Sequence, residues 1–403
     1  MIYLRLKWWT VVLAMPLMAL ITSGCVSNPP VRHSAEPIES VHQNVRMASR
    51  KAALEIASQI KATQQEKGAI WIAPAINRQS GEITASGREF QVLMAADIKS
   101  MHPDLIVHSL GGDPGYAWRW VVSPQVEFEK PQDGSITSNW FKVTVSAINT
   151  QGDFLPGAML RINAQQFDAT PSKFFKDAPI YLIGNYHTER TQLTVQPASA
   201  SENSTLRRRF ISIEAFNQQG ILEFEDEKYH QSILSFQKSL ELDRNNIPAL
   251  FGVYQAWYAL NERIQYEKAF SNLISAAVAQ NNISFKFLFQ VASAEFRNDI
   301  EVSKQYDFWL SHLSKQVQTS GRCLLIQGHA SKTGSTEYNE QLSQNRAKQV
   351  AALMIRHVPE LKAKISFEGR GFKDNLVGSG TDDAKDAVDR RVDRSEEHTS
   401  ELQ

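Results

Sequence analysis

Apolar and polar positions along the chain fall into blocks of different period. Ala52, Leu54, Ile56, Ala57 and Ile60 fit one face of a helix, and Ala69-Ile70-Trp71-Ile72-Ala73 reads as a buried strand before a turn at residues 77–81. Phe90, Val92, Leu93, Ala96 and Ile98 predict a second helix, and Leu105-Ile106-Val107 a second strand. Strand pattern then dominates residues 117–128, 140–148 and 158–164. Residues 46–187 therefore predict an α+β module with helices on a largely antiparallel sheet. Residues 207–280 switch to helical period and repeat, with Phe216, Gly220, Tyr229 and Phe236 in one unit and Tyr254, Trp257, Ala269 and Leu273 in a second. Farther on, Cys323-Leu324-Leu325-Ile326 predicts a strand and residues 330–336 a loop. Tyr338, Leu342, Ala347, Val350, Leu353 and Met354 then mark the apolar stripe of a helix.

Between these blocks the composition shifts. Residues 26–45 are rich in Pro, Ser, Glu and His without a period and read as a flexible tether, with residues 188–206 as a second linker. Residues 1–25 combine Arg5 and Lys7, an apolar run from Trp8 to Ile21, and Thr22-Ser23-Gly24-Cys25, the layout of a cleaved export signal. A chain of 403 residues exceeds what one core usually supports. Lys+Arg and Asp+Glu both number 43, so no net field draws the chain to nucleic acid.

Candidate chemistry is sparse. Cys323 falls in a predicted core strand, where a thiol behaves as a small hydrophobe, and no disulfide or zinc site is expected. His102, His108 and His187 lack metal-ligand spacing. The run Gly111-Gly112-Asp113-Pro114-Gly115 lacks the Lys-Ser/Thr of a phosphate loop. Trp118, Trp120 and Trp140 suit core packing or a recognition face. No cofactor and no catalytic constellation is expected. On the helix beginning near residue 336, Asn339, Ser343 and Arg346 step by four and three, which predicts a polar stripe beside the apolar one. The stripe faces the loop at 330–336 and forms a shallow polar cleft with one cation, able to grip a carboxylate through paired hydrogen bonds. A solvated helix arginine would show the same spacing.

The order Gly328-His329, Gly334, Tyr338-Asn339, Leu342-Ser343, Arg346-Ala347 and Val350, with Gly369-Arg370-Gly371 and Asp389-Arg390-Arg391-Val392 after it, resembles OmpA-like peptidoglycan-binding domains. Phe285-Lys286-Phe287-Leu288-Phe289 is similar to that family's first strand and Ala292-Ser293-Ala294-Glu295 to the start of its first helix, so the resemblance spans residues 281–393. It implies a βαβαβ-type sandwich whose ligand is peptidoglycan, surrounded by Ser331, Asn339, Leu342, Ser343, Arg346 and Arg391. Arg346 would bind a carboxylate of diaminopimelic acid in the stem peptide. The loop aspartate that pairs with that ligand's ammonium in the family is Ser331 here, and the threonine before it is Ala330. A hydrogen bond to a charged group contributes about 1.5–3 kcal/mol, so binding is expected to be about ten- to a hundredfold weaker.

The small residues before Cys25 resemble the bacterial lipobox, which implies lipid on Cys25, and Val26 after it implies sorting to the outer membrane, on its periplasmic side. Residues 207–280 resemble tetratricopeptide repeats, which implies either a protein partner on their concave face or a spacer. Residues 46–187 resemble sensor-like modules of envelope lipoproteins, among them FlgO and the activators of penicillin-binding proteins. Residues 394–403 resemble the translation of a sequencing-library adapter and are set apart from the fold. The expectation is a multidomain α+β, non-catalytic outer-membrane lipoprotein that tethers the envelope to peptidoglycan. The alternative is a regulatory lipoprotein of an envelope machine whose wall binding is weakened.

Overall fold

Two capped helices lie on one face of the N-terminal sheet. α1 (Val45–Ala62) starts where the Asn44 side chain accepts from the Met47 amide, and α2 (Ala85–Met101) where Thr84 accepts from the Gly87 amide. The computed structural model describes residues 39–42, 44–63, 68–111, 118–129, 140–149, 153–181, 203–280, 284–298, 300–373, 389 and 391–395. Cys25 and His187, with most of the tether and linkers, lie outside the described residues.

The sheet has seven strands: β1 (Glu39–His42), β2 (Ala69–Ile72), β3 (Ile76–Asn77), β4 (Ile106–Ser109), β5 (Trp118–Phe128), β6 (Trp140–Asn149) and β7 (Phe154–Asn163). Their order is β1-β7-β6-β5-β2-β4, with β3 beside β5. Among the described residues only the β5-β6-β7 meander is antiparallel; β1 pairs with β7, β2 and β3 with β5, and β4 with β2, all in parallel. The expectation of a largely antiparallel sheet is corrected to a mixed one, because helical crossovers through α2 return the chain in the same direction. β1 lies inside the stretch expected to be a tether. A sheet edge offers unpaired backbone groups to any extended segment, and β1 uses them although Val41 stays exposed.

Both faces of the sheet are covered, which explains the fully apolar β2. Ile70 and Ile72 meet α1 and α2, while Ala69, Trp71 and Ala73 meet Ile211 and Ala215 of α4 (Asn203–Glu225). Trp120 is buried in the core and Trp118 and Trp140 are half-buried, so core packing takes at least the first of the three. After the short α3 (Lys173–Lys176), α4 is followed by α5 (Tyr229–Leu242), α6 (Ile247–Ala259) and α7 (Arg263–Ala279). The Phe236 ring wedges between α4 and α6, where a Cβ on Gly220 or Gly252 would lie 2.8 or 2.4 Å from it. One apolar core runs from Ile83 and Phe174 through these helices to Trp309, Leu324 and Val350, so the described residues form one compact unit.

The C-terminal part contains α8 (Tyr306–Ser320), β8 (Leu324–Gly328), α9 (Thr336–His357), β9 (Ile365–Gly369) and β10 (Val392–Ser395). β8 pairs in parallel with β9 through the α9 crossover and antiparallel with β10. The multidomain α+β class expected from the sequence describes the chain. Three local expectations change. Residues 285–289 do not join this sheet: Phe285 bridges Ile180, and Phe289 bridges Phe296. Residues 292–295 form a turn with Ala292 at φ 53°, and the helix begins only at Tyr306. Cys323 is exposed, because the strand starts one residue after it. Arg394 and Ser395, set apart with the tail, pair with Ile326 and Leu325. Among the described residues no helix is long and apolar enough to cross a membrane.

Candidate functional site

Asn339, Ser343 and Arg346 lie on the same face of α9 as Ala347, Val350, Ala351 and Met354, and all are buried. The polar and apolar residues therefore form one stripe, polar toward the N-terminus and apolar toward the C-terminus. Tyr338, expected on the apolar stripe, is exposed, and Leu342 is half-buried. The reason is close contact between helix and sheet. A Cβ on Gly328 would lie 2.0 Å from the Ser343 carbonyl oxygen, and one on Gly369 2.5 Å from that of Glu340. These two strand-end glycines let α9 settle on the sheet, with positions 339, 343 and 346 facing inward along its N-terminal half. Glycine at both strand ends was the signal for this approach, and it was legible only as part of a motif.

Each polar group on this face organises a loop. Ser335 caps α9 by accepting from the Tyr338 amide, and Asn339 Nδ2 donates to the carbonyls of Thr333 and Ser335, both at 3.0 Å. Ser343 Oγ donates to the Glu340 carbonyl at 2.8 Å and accepts from the Gly371 amide at 2.9 Å, tying the 370–371 turn to the helix. The Ala330 amide donates to the Gly371 carbonyl, and the His329 amide to the Arg391 carbonyl. Ser331, Asp389 and Arg391 are buried beside these loops.

Arg346 is fully buried, at 0% exposure, rather than solvated in a shallow cleft. Its Nε donates to the Ser293 carbonyl at 3.0 Å, Nη1 to that of His329 at 3.0 Å and Nη2 to that of Gln290 at 3.2 Å. The Phe289 ring centroid lies 5.2 Å from the guanidinium carbon. Main-chain dipoles therefore fix the plane of the cation, and the turn at 290–293 covers it. Sequence reasoning missed these carbonyls, because main-chain oxygens leave no residue-type signature. Among the described residues no group of three or more His, Cys, Asp and Glu is placed to hold a metal ion.

Residues 296–389 match the OmpA family model, which puts an OmpA-family domain in the C-terminal part of the chain. The peptidoglycan-associated lipoprotein from Burkholderia pseudomallei is similar at 25% identity, over 28% of this chain and 88% of that one, with a TM-score of 0.23. The OmpA-like domain of FopA1 from Francisella tularensis subsp. tularensis SCHU S4 is 22% identical over 28% of this chain and 70% of its own, with a TM-score of 0.22. An outer membrane protein from Borrelia burgdorferi B31 is 24% identical over 28% and 85%, with a TM-score of 0.22. No curated protein matches the chain.

Proposed function

We propose that the protein is a non-catalytic outer-membrane lipoprotein, lipidated at Cys25, that tethers the envelope to peptidoglycan through its OmpA-family domain. The observation that carries this reading is Arg346, a guanidinium held in a fixed plane at the loop ends of β8 and β9 within residues 296–389. A diaminopimelate carboxylate approaching between the 290–293 turn and the 329–335 loop would exchange weaker main-chain acceptors for a charge-assisted pair. Ser331, Asn339, Leu342, Ser343 and Arg391 shape the pocket around it. Lipid at one end and wall at the other give two-point attachment, so a modest single-site affinity is multiplied by high effective concentration. The helical hairpins α4–α5 and α6–α7, read as tetratricopeptide-like repeats, and the N-terminal module, read as similar to envelope sensor modules, supply surfaces for a protein partner.

The test is co-sedimentation of the protein with diaminopimelate-type peptidoglycan. Wild type is expected in the pellet, Arg346→Ala in the supernatant, and the charge-preserving Arg346→Lys between them because it lacks the two-pronged geometry. Equal sedimentation of all three overturns the assignment of Arg346. Ser331 in place of an acid, together with the covered guanidinium, favours a second reading: a regulatory lipoprotein of an envelope machine with reduced wall binding. Ser331→Asp separates the two. A tether gains wall affinity by about tenfold or more from a restored charged bond, and a repurposed pocket gains none.

A further inference from the structure

The turn that covers Arg346 belongs to a segment whose other end is anchored in the N-terminal module. Residues 288–297 fold back on themselves, with the Arg297 amide donating to the Leu288 carbonyl and the Gln290 amide to that of Glu295. At the tip, the Gln290 and Ser293 carbonyls accept from Arg346, and Tyr338 Oη of α9 reaches the Ala292 carbonyl at 3.5 Å. At the base, the Tyr181 amide donates to the Ser284 carbonyl and the Lys286 amide to that of Pro179. There the Lys286 ammonium is buried. It donates to Glu82 Oε1 at 2.8 Å and to the Phe175 carbonyl at 3.0 Å, and lies 4.9 Å from the Tyr181 ring centroid. Glu82 and Lys286 are 204 residues apart in sequence, and their side chains are only 8% and 6% exposed.

We infer that the Glu82–Lys286 pair is a latch by which the N-terminal module holds residues 284–293 over Arg346, so that access of a carboxylate ligand to Arg346 is gated from the other half of the molecule. The inference rests on the wall-binding reading of Arg346. Its physical basis is that the covered and open states compete for one cation. The carbonyls of 290 and 293 reach the guanidinium while the base of the segment is pinned; its polar contacts at Ser284 and Lys286 include those to residues 82 and 175–181, and Phe285, Phe287 and Leu288 are also held by Tyr306 and Trp309 of α8. Ala292 adds a bias in the opposite direction. Its φ of 53° lies in the left-handed region that L side chains disfavour, so the closed turn is held against a local preference to open. A partner that bound the N-terminal module and drew residues 175–181 away would free the segment and raise wall affinity. If the open state is about a tenth of the population, full release raises apparent affinity about tenfold.

The test uses the whole chain, diaminopimelate-type peptidoglycan, and amide hydrogen exchange at Tyr181 and Lys286. Glu82→Gln strands a buried ammonium, and the double variant Glu82→Gln/Lys286→Met strands neither charge; both are checked for cooperative melting. Faster exchange at Tyr181 and Lys286 is expected, with wall binding about tenfold tighter in both variants and abolished by adding Arg346→Ala. Ala292→Gly, which relaxes the closed turn, is expected to weaken binding. Unchanged exchange in the double variant overturns the latch, whatever the wall does. Faster exchange with unchanged binding that Arg346→Ala still abolishes overturns gating and leaves the wall-binding reading intact. Faster exchange with no dependence on Arg346 overturns both.

Discussion

Main-chain oxygens of two loops hold the Arg346 guanidinium beside the Phe289 ring. The spacing of Arg346 from Asn339 and Ser343 marks a shared helix face, but its acceptors at Gln290 and Ser293 are main-chain atoms 56 and 53 residues away. Nothing in side-chain chemistry records them. Leu342 and Tyr338 were misplaced for a related reason: hydrophobicity predicts which face turns inward only where no close backbone contact decides it first. A second residue carries a pH signature. Burial holds the Asp177 carboxyl above its usual range, although the nearby Lys176 and Lys286 charges pull it down. The folded state then binds this proton more tightly than the unfolded state, so stability is lost as pH rises from the ordinary carboxylate value through the raised one. Asp177→Asn is expected to stabilise the protein at neutral pH, with the gain vanishing in acid. Denaturant midpoints of the two proteins across pH 3 to 8 check it, and a constant difference would assign the effect to something other than ionisation.

Helices were the most legible elements. α1, α2 and α9 appear where apolar spacing predicts them, and their starts carry Asn44, Thr84 and Ser335 as caps. Strand partners were not legible. The run 285–289 has strand composition, yet its pairing is set by Pro179 and Tyr181, and only a three-dimensional neighbour distinguishes one sheet from another. The hairpins α4–α5 and α6–α7 depend on a fit that can be measured. Gly252→Ala places a methyl group against the Phe236 ring, and an overpacked core costs about 1–3 kcal/mol. Phe236→Leu alone opens a cavity, whereas the double variant is expected to recover part of the loss of each, giving a coupling of about 1 kcal/mol or more. Additive losses in urea melts would show that the two helices do not meet there as described.

Composition suggested several regions joined by linkers, and among the described residues one apolar core joins those regions. The apolar faces of the helical hairpins are covered by Ile83, Phe174 and Phe175 on one side and by Phe285, Phe287 and Trp309 on the other, so one core serves all three regions. This body is therefore expected to unfold in a single calorimetric transition, with van't Hoff and calorimetric enthalpies in agreement. Resolved transitions would show that the shared core contributes little. The edge strand β1 gives this body a mechanical property. It is fixed to β7 by main-chain pairing across four residues in parallel register, with Val41 exposed. Under the proposed tether, a pull arriving through residue 39 loads that pairing before it reaches any buried side chain. β1 then acts as a fuse: it yields first, releases about 13 Å of chain at about 3.3 Å per residue, and lets the envelope stretch away from the wall while the core behind it stays folded.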